Sequence, residues 1–331
     1  MYKIFTIILF VFIINVSCKE NSNERLRANS TGRFNELIVV IPQKDWDGDV
    51  GMALKEVVSK EVLGLPQPEP QFSVIQIEPK TYEGLIKRTR NILIIKLGET
   101  NTFQIDKDVE SSPQIIITIT GTDTKNLISL IEKNAENLID SYKKSDLATL
   151  RNDPAHATIN YERINFFQKQ KIQFNIPDNF KLVDDSDQFL WYRNETYNPG
   201  IDINGSMNVI AYTLPLDYSF EKVKDSIASI RDKVGKQNIP GPHDGMYMIT
   251  EAAYTPHVFD SNISGLKAYK TLGKWEIKDA FMAGPFISYT VQDLPNKRLV
   301  VVEGFVYAPS VNKRDYMFEL EAIIGTLKVN P

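Results

Sequence analysis

The sequence has little of what common catalytic and metal sites are built from. Its 331 residues include one cysteine and three histidines, and no His-Glu-x-x-His pair occurs. No Gly-x-Ser-x-Gly, no P-loop and no Gly-x-Gly-x-x-Gly occurs either. The usual sequence signs of a zinc protease, a serine hydrolase and a nucleotide-binding protein are therefore missing.

Basic residues are also too few and too scattered to form a patch. The formal net charge is −4 at pH 7, and no lysine- or arginine-rich block stands out. Proteins that bind nucleic acid generally carry a basic face that neutralises phosphates. We therefore expect no nucleic-acid partner. No motif implies a cofactor, so we predict none.

A long hydrophobic run stands at the N-terminus. Lys3 is the only charged residue among the first seventeen, and residues 4–16 are apolar except for Thr6 and Asn15. A membrane-spanning helix needs about 20 mostly apolar residues, whereas a shorter run behind a positive charge is typical of a signal peptide. We predict that residues 1–17 are such a signal.

Cys18, the only cysteine, follows that signal and the small residue Ser17. A lone cysteine in an exported protein has no partner for an intramolecular disulfide. Residues 14–18 resemble a bacterial lipoprotein signal-peptidase site, although Asn15 stands where an aliphatic residue is usual. The resemblance implies lipidation of Cys18 by acyl chains such as palmitate. An ordinary secretory signal is the alternative.

The predicted location follows from the same segment. Acyl chains on Cys18 would tether the protein to a membrane, since each buried CH₂ contributes about 0.8 kcal/mol. Lys19, not aspartate, follows the cysteine. By resemblance to the sorting rules of Gram-negative lipoproteins, this favours the outer membrane, with the periplasmic or surface leaflet left open. Residues 18–33 are rich in Asn, Ser and charge, which predicts a flexible tether.

The remaining length suits two domains of about 150 residues each. For residues 34–150 we predict an α+β domain with helices packed on one face of a mixed sheet. Residues 151–167 are predicted to be a linker. Apolar periodicity predicts strands at 37–41, 72–77, 91–97 and 114–120, and helices at 50–62 and 127–142.

Residues 168–331 predict a second α+β domain, so the fold class is two layered domains of mixed or antiparallel sheet with packed helices. Strands are predicted at 171–176, 188–193, 208–214, 246–255, 266–277, 286–292 and 299–307, with helices at 220–234 and 316–327. Residues 294–298 are typical of a hairpin loop. Residues 171–180 and the later strand–helix pair resemble the α–β–α sandwich of the PsbP type.

The chain as a whole resembles a family of Bacteroidota lipoproteins that is known only as a domain of unknown function. The resemblance rests on Cys18 and on residues 32–40, 46–51 and 64–72. It implies the location and the two-part organisation, and it assigns no catalytic or binding role to any residue.

The densest carboxylate cluster comprises Asp45, Asp47 and Asp49, around Trp46 and Gly48. Alternating carboxylates near a glycine suggest a calcium loop, but the glycine falls two positions too early for an EF-hand. Acidic residues ahead of a helix also satisfy its N–H groups and its dipole. We predict helix capping and no metal site, with these three aspartates as the alternative metal ligands.

Three further residues are candidates for binding. Pro68 lies in the proline-rich segment 65–70, which is either a strip for docking a partner or a stiff connector. Trp46 and Trp191 either pack in a core or bind a sugar or an apolar ligand. Because sites tend to form between domains, we expect these residues at a pocket between the two domains.

These observations predict a cell-envelope lipoprotein that acts as a non-enzymatic binding or assembly component. Its partners would be the membrane, through the lipid anchor, and an envelope protein or glycan. The alternative is a hydrolase-type enzyme that acts on an envelope glycan or peptide. Titratable groups converging in a polar cleft would favour the enzyme, an exposed apolar patch the assembly role, and an enclosed apolar cavity a ligand carrier.

Overall fold

A computed structural model describes residues 27–153, 159–196, 205–216 and 219–329. The predicted signal peptide, Cys18 and the tether as far as residue 26 lie outside these described residues. Residues 27–153 are called the first unit below, and residues 159–329 the second unit. Each unit has its own sheet and its own hydrophobic core.

The first unit is built around a five-stranded mixed sheet. The strands of this unit are β1 (Ala28–Asn29), β2 (Glu36–Val40), β3 (Ser73–Ile77), β4 (Asn91–Leu97), β5 (Thr102–Lys107), β6 (Ser111–Ser112) and β7 (Ile115–Gly121). Its helices are α1 (Gln43–Trp46), α2 (Asp49–Val58), α3 (Thr124–Lys133) and α4 (Ala135–Arg151), with 3₁₀ turns at Pro79–Thr81 and Gly84–Arg88. The strand order is β3-β2-β4-β7-β5, parallel except for the antiparallel edge strand β5. β1 and β6 form a separate two-stranded pair.

The apolar run of β2 is continuous because both faces of this sheet are covered. Leu37 and Val39 pack in the core that holds α2, α3 and α4. Ile38 and Val40 face the opposite side, where they meet Ile86 of the second 3₁₀ turn. A strand buried on both faces needs apolar side chains at every position rather than at alternate ones.

The predicted helix over residues 127–142 is two helices. The side chain of Asp123 accepts a hydrogen bond from the Asn126 backbone N–H at 2.8 Å, so α3 begins with a capping aspartate. Asn134 separates α3 from α4, and its Nδ2 donates to the Leu130 carbonyl at 2.8 Å. Asparagine competes for backbone hydrogen bonds in this way, which explains the break.

The second unit is built around an eight-stranded antiparallel sheet. The strands of this unit are β8 (Ile172–Gln173), β9 (Lys181–Asp185), β10 (Phe189–Thr196), β11 (Gly205–Pro215), β12 (Met248–Thr250), β13 (His257–Ile263), β14 (Leu266–Ile277), β15 (Ala283–Asp293), β16 (Arg298–Tyr307) and β17 (Lys328–Val329). Its helices are α5 (Asn165–Gln170), α6 (Phe220–Val223), α7 (Ile227–Asn238) and α8 (Arg314–Ile324), with 3₁₀ turns at Tyr161–Arg163 and Lys224–Ser226. The eight-stranded sheet has the order β12-β14-β15-β16-β11-β10-β9, with β13 paired to β14, and β8 and β17 form a separate antiparallel pair.

Helices cover both faces of that sheet. On one face, Leu320 and Ile324 of α8 share a core with Val302 of β16. On the other face, Val234 of α7 shares a core with Phe305 of β16. The predicted α+β class, with a mixed sheet and an antiparallel sheet each packed by helices, is therefore confirmed.

The two units are joined through the N-terminus of α8. The two carboxylate oxygens of Glu69 accept the backbone N–H groups of Lys313 at 2.7 Å and Arg314 at 3.0 Å. The guanidinium of Arg314 donates in return to the Pro70 carbonyl at 3.0 Å. A carboxylate at this position satisfies N–H groups that have no partner within the helix. The residues of the proline-rich segment thus bind the second unit.

Among the helices of the described ranges, none is both long enough and apolar enough to cross a membrane.

Candidate functional site

The acidic residues near Trp46 stand at or just before the start of α2, but none of them caps this helix with its side chain, contrary to the prediction. Asp49 is the first residue of α2, where its charge favours the helix dipole, although Gly48 at the N-cap offers no side chain. The carboxylate of Asp47 accepts a hydrogen bond from Gln43 Nε2 at 2.8 Å. Within the described ranges, neither Asp45, Asp47 and Asp49 nor any other group of three His, Cys, Asp or Glu is arranged to hold a metal ion.

Trp46 is half-buried against the core of the first unit. The ammonium of Lys55 lies 4.3 Å from the centroid of its ring and donates to its carbonyl at 3.1 Å. Gly51 is required beside it, because a Cβ at that position would stand 1.8 Å from the Trp46 carbonyl oxygen. Trp46 is therefore a packing residue that fixes α1 on α2.

Pro68 is exposed, whereas the next residue, Glu69, is 4% exposed and caps α8. Trp191 lies on β10 in the second unit and is 6% exposed. Trp46, Pro68 and Trp191 therefore line no shared pocket among the described cavities, and each of them has a separate environment.

Trp191 contributes to a pocket at one end of the second sheet. This Trp191 pocket has a volume of about 280 Å³. Its aromatic residues come from three strands: Trp191, Trp275, Phe305 and Tyr307. The other lining residues are Arg193, Glu195, Gly205, Ser206, Asn208, Ile239, Pro240, Met248, Ile277 and Met282.

Asn208 organises the polar side of the pocket. Its Oδ1 accepts the indole N–H of Trp191 at 3.0 Å and Nε–H of Arg193 at 3.2 Å. Its Nδ2 donates to the Ser206 hydroxyl at 3.0 Å. The guanidinium carbon of Arg193 stands 4.8 Å from the centroid of a Trp191 ring. The amide thus holds the tryptophan and the arginine in one fixed arrangement.

Strand geometry explains why these residues meet. Positions 191, 193 and 195 alternate along β10, so their side chains point to one face of the sheet. The register of β10 on β11 sets Arg193 opposite Asn208 and Glu195 opposite Ser206. The alternation was visible in the sequence, but the pairing with β11 was not.

A second pocket lies between the two units, as the sequence predicted, but it is formed by other residues. This Lys143 pocket has a volume of about 400 Å³. It is lined by Val62, Leu63, Gly64, Leu65, Gln71, Ile139, Asp140, Lys143, Lys144 and Leu147 of the first unit, and by Lys270, Leu272, Pro285, Phe286, Ile287, Arg314, Met317, Phe318 and Glu321 of the second. The residues that flank the proline-rich segment contribute, whereas Pro68, Trp46 and Trp191 do not.

Lys143 is held by neutral groups from the first unit and by aromatic rings from both units. Its Nζ donates to Asn35 Oδ1 at 2.6 Å and to the Gln71 carbonyl at 2.7 Å. It also stands 4.6 Å from the ring centroid of Phe72 and 5.1 Å from that of Phe318. Burial, assisted by nearby Arg314, lowers the pKa of Lys143 to about 7.

The buried carboxylates of the described residues are held apart from one another. Glu303 pairs with Arg231, with Oε1 2.8 Å from Nη2. Asp293 pairs with Arg298 at 2.7 Å, and Asp146 accepts Asn91 Nδ2 at 3.0 Å. Burial raises the pKa of Glu303 and of Asp146. No two of these four buried acids, Glu69 included, contact each other in the described hydrogen bonds and ion pairs.

Solved structures similar to the chain include two proteins. One is LpqN, involved in cell envelope biogenesis of Mycobacterium tuberculosis, with 14% identity and a TM-score of 0.32 over 48% of this chain and 83% of that one. The other is the Ran-binding protein Mog1p of Saccharomyces cerevisiae, with 13% identity and a TM-score of 0.32 over 48% of this chain and 90% of that one. Similarity at this level carries no functional argument. No curated protein has significant sequence similarity to the chain.

Two family models match the chain, and both are described as domains of unknown function. One of them, DUF8532, matches residues 30–153, which correspond to the first unit. The other, DUF4837, matches residues 160–326, slightly more than half of the 331 residues. The chain belongs to the family described as domain of unknown function DUF4837.

Proposed function

We propose that the chain is a cell-envelope lipoprotein that acts as a non-enzymatic binding component, with the Trp191 pocket as its ligand site. The hydrophobic run at residues 4–16 and Cys18 support the lipid anchor, and Lys19 supports the outer membrane. The resemblance to Bacteroidota lipoproteins supports the same location. The α–β–α layers of the second unit support the proposed likeness to the PsbP type.

The arrangement of the Trp191 pocket carries the proposal. The indole N–H groups of Trp191 and Trp275 are bonded inside the protein, the second to the Val306 carbonyl at 3.2 Å. Trp191, Trp275 and Phe305 are 6%, 2% and 3% exposed, so the partly exposed ring of Tyr307 supplies most of the aromatic surface of the pocket. Arg193 and Glu195 supply charged groups at its rim. Such a combination suits a sugar ring, which has an apolar face and polar edges, so we propose an envelope glycan as the ligand.

The environment of the buried acids supports a non-enzymatic role. A typical glycoside hydrolase needs two carboxyl groups about 5 to 9.5 Å apart on either side of the bond to be cleaved. Glu195 is the one carboxylate among the lining residues of the Trp191 pocket. Glu303 and Asp293 are each occupied by an arginine.

Binding to purified envelope glycans tests the proposal. The lipid-free chain, from Lys19 onward, is incubated with peptidoglycan sacculi and with lipopolysaccharide, and the retained fraction is measured. Arg193→Gln removes the rim charge, and Tyr307→Ala opens one wall. Each variant is expected to lose about fivefold or more in affinity, equivalent to about 1 kcal/mol or more.

Lys181→Gln is the matched control. Lys181 is exposed and lies on the neighbouring strand β9, directly opposite Arg193 in the register of the two strands. It should bind like the wild type. If glycans are not retained, or if all three variants behave alike, the glycan proposal is wrong. Loss of a crosslinked envelope protein in the Arg193 and Tyr307 variants alone would instead identify a protein ligand at the same pocket.

The alternative function, an enzyme that acts on an envelope glycan or peptide, is favoured by one observation. Lys143 has a pKa of about 7, so part of its amine is neutral and nucleophilic near neutral pH. Mass spectrometry of the same glycan incubations tests this alternative. Cleavage products that disappear in Lys143→Met would establish an enzyme.

A further inference from the structure

We propose that the Lys143 pocket binds an anionic amphiphile, a molecule with one carboxylate or phosphate headgroup and a short apolar chain, and that Lys143 binds the headgroup. The proposal is independent of the Trp191 pocket, since the two pockets share no lining residue. It also holds whether or not the chain is lipid-anchored.

The apolar part of the pocket comes from both units. Leu65 and Leu147 of the first unit face Leu272, Met317 and Phe318 of the second across a volume of about 400 Å³. A volume of 300–1,000 Å³ with mainly apolar walls is typical of small-molecule sites. A short hydrocarbon chain therefore fits, whereas a whole diacyl lipid does not.

The polar part carries a surplus of positive charge. Four of the lining residues are basic, namely Lys143, Lys144, Lys270 and Arg314, and two are acidic, Asp140 and Glu321. The ammonium of Lys144 pairs with Asp140 at 2.8 Å, and Lys270 pairs with Glu321. Arg314 pairs with Asp315 at 2.9 Å.

Lys143 differs from the other three basic residues. In the part of the chain that the structure describes, its Nζ has no carboxylate within 4.0 Å, and its hydrogen bonds go to the neutral oxygens of Asn35 and Gln71. These bonds use two of the three N–H bonds of an ammonium, which leaves the third for a ligand. A charge withdrawn from water is costly unless it is paired. An anionic headgroup would supply the missing partner.

The ionisation of Lys143 supports the same assignment. Burial and Arg314 lower its pKa to about 7, while Asp146, Asp315 and Glu321 act in the opposite direction without restoring the ordinary value. A bound anion would stabilise the charged form and raise this pKa. Binding should therefore take up a proton between pH 7 and the pKa of the complex.

The test compares three probes with the same chain and different headgroups. Calorimetry measures the binding of octanoate, octyl phosphate and octan-1-ol to the lipid-free chain from Lys19 onward. The titrations are run at about pH 7.5 in two buffers of different ionisation enthalpy. We expect at least one anion to bind about tenfold more tightly than the alcohol, with proton uptake seen as a dependence of the heat on the buffer. The preferred anion distinguishes a carboxylate from a phosphate headgroup.

Two variants test the two parts of the site separately. Lys143→Met keeps the length of the side chain and removes the charge, so the anion should lose its tenfold advantage over the alcohol. Leu147→Trp fills the apolar part and keeps Lys143, so all three probes should bind at least about tenfold more weakly. Thermal unfolding confirms that each variant is folded.

Lys133→Met is the matched control. Lys133 lies on α3 of the same unit, its side chain is exposed, and it is not among the lining residues of the Lys143 pocket. This variant should bind each probe within about twofold of the wild type. The proposal is wrong if octan-1-ol binds as tightly as both anions, if folded Lys143→Met binds the anion like the wild type, or if no probe binds at millimolar concentration.

Discussion

Arg231 and Glu303 form a buried ion pair that fastens α7 to the centre of the second sheet. Their side chains are 4% and 1% exposed, and Nε of the arginine reaches both carboxylate oxygens, at 2.9 and 3.0 Å. The guanidinium carbon also lies 4.1 Å from the ring centroid of Phe286. Neither charge is in contact with water, so each depends on the other.

Removing one member of this pair should be strongly destabilising. Glu303→Leu leaves an unpaired buried guanidinium, and we expect a loss of about 3–5 kcal/mol in the free energy of unfolding. The double variant Arg231→Met with Glu303→Leu should recover most of this loss, because two apolar side chains replace two mutually dependent charges. Urea unfolding of the single and double variants measures the coupling.

The surface pair of Lys144 and Asp140 provides the comparison. Their side chains are 76% and 60% exposed. Lys144→Ala should change the free energy of unfolding by less than about 0.5 kcal/mol. A Glu303→Leu variant as stable as the wild type would contradict the assigned role of the buried pair.

The cap that Glu69 places on α8 gives a second prediction. Glu69→Ala removes two charge-assisted hydrogen bonds from an otherwise unsatisfied helix start. We expect a loss of about 1–2 kcal/mol and faster hydrogen exchange at the first turn of α8. Glu61 is an exposed glutamate in the same segment between α2 and β3, and Glu61→Ala should leave both measurements unchanged. Equal exchange in the two variants would contradict capping.

Lys143 should make the stability depend on pH in an unusual direction. Its pKa is about 7 in the folded chain and near 10.4 when unfolded, so the unfolded state binds more protons between these values. The free energy of unfolding should therefore rise with pH from about 7 to 10 and be insensitive to this group below pH 7. Lys143→Met should remove that rise.

Urea unfolding at about pH 7.0 and 9.5 measures this effect, and Lys133→Met is again the matched control. The control should retain the slope of the wild type. The prediction is contradicted if the slope persists in Lys143→Met or has the opposite sign in the wild type.

The proposed lipid anchor on Cys18 gives a prediction about location. Cys18→Ala should block acylation, so the chain should either stay unprocessed or appear in the soluble fraction. Fractionation of cells and the mass of the mature N-terminus measure this result. A Cys18→Ala variant that is cleaved and retained on membranes like the wild type would contradict the anchor.

Strands β2, β4, β14 and β16, which were predicted from apolar runs, lie inside a sheet, although the edge strand β3 was also predicted. Of the longer strands, those missed are β5, β9 and β13, which lie at or near sheet edges and whose side chains are mostly exposed or only partly buried. In β9, for example, both oxygens of Asp185 accept backbone N–H groups at the start of α5. In the sequence an aspartate of this kind indicates a turn, because the backbone groups that it binds lie on a distant part of the chain.

The two candidate sites also differ in how far the sequence could predict them. Trp191 was identifiable as a candidate because it is an aromatic residue in a predicted strand, whereas Glu195 lies beyond the predicted strand 188–193 and was not identified. The Lys143 pocket was not identifiable, because Lys143 meets Gln71 and Phe318 only after both units have folded. No local pattern on α4 distinguishes this lysine from Lys144 beside it.

The carboxylate of Glu69 stands 244 positions before Lys313, whose backbone N–H it accepts. During synthesis the first unit therefore emerges from the ribosome well before the residues of α8 are added. During that interval the acidic group has no helix to bind and remains hydrated at the surface of a half-finished molecule. Fragments that stop short of α8 will consequently resemble this nascent state, and a truncated first unit is not equivalent to the same residues in the complete chain.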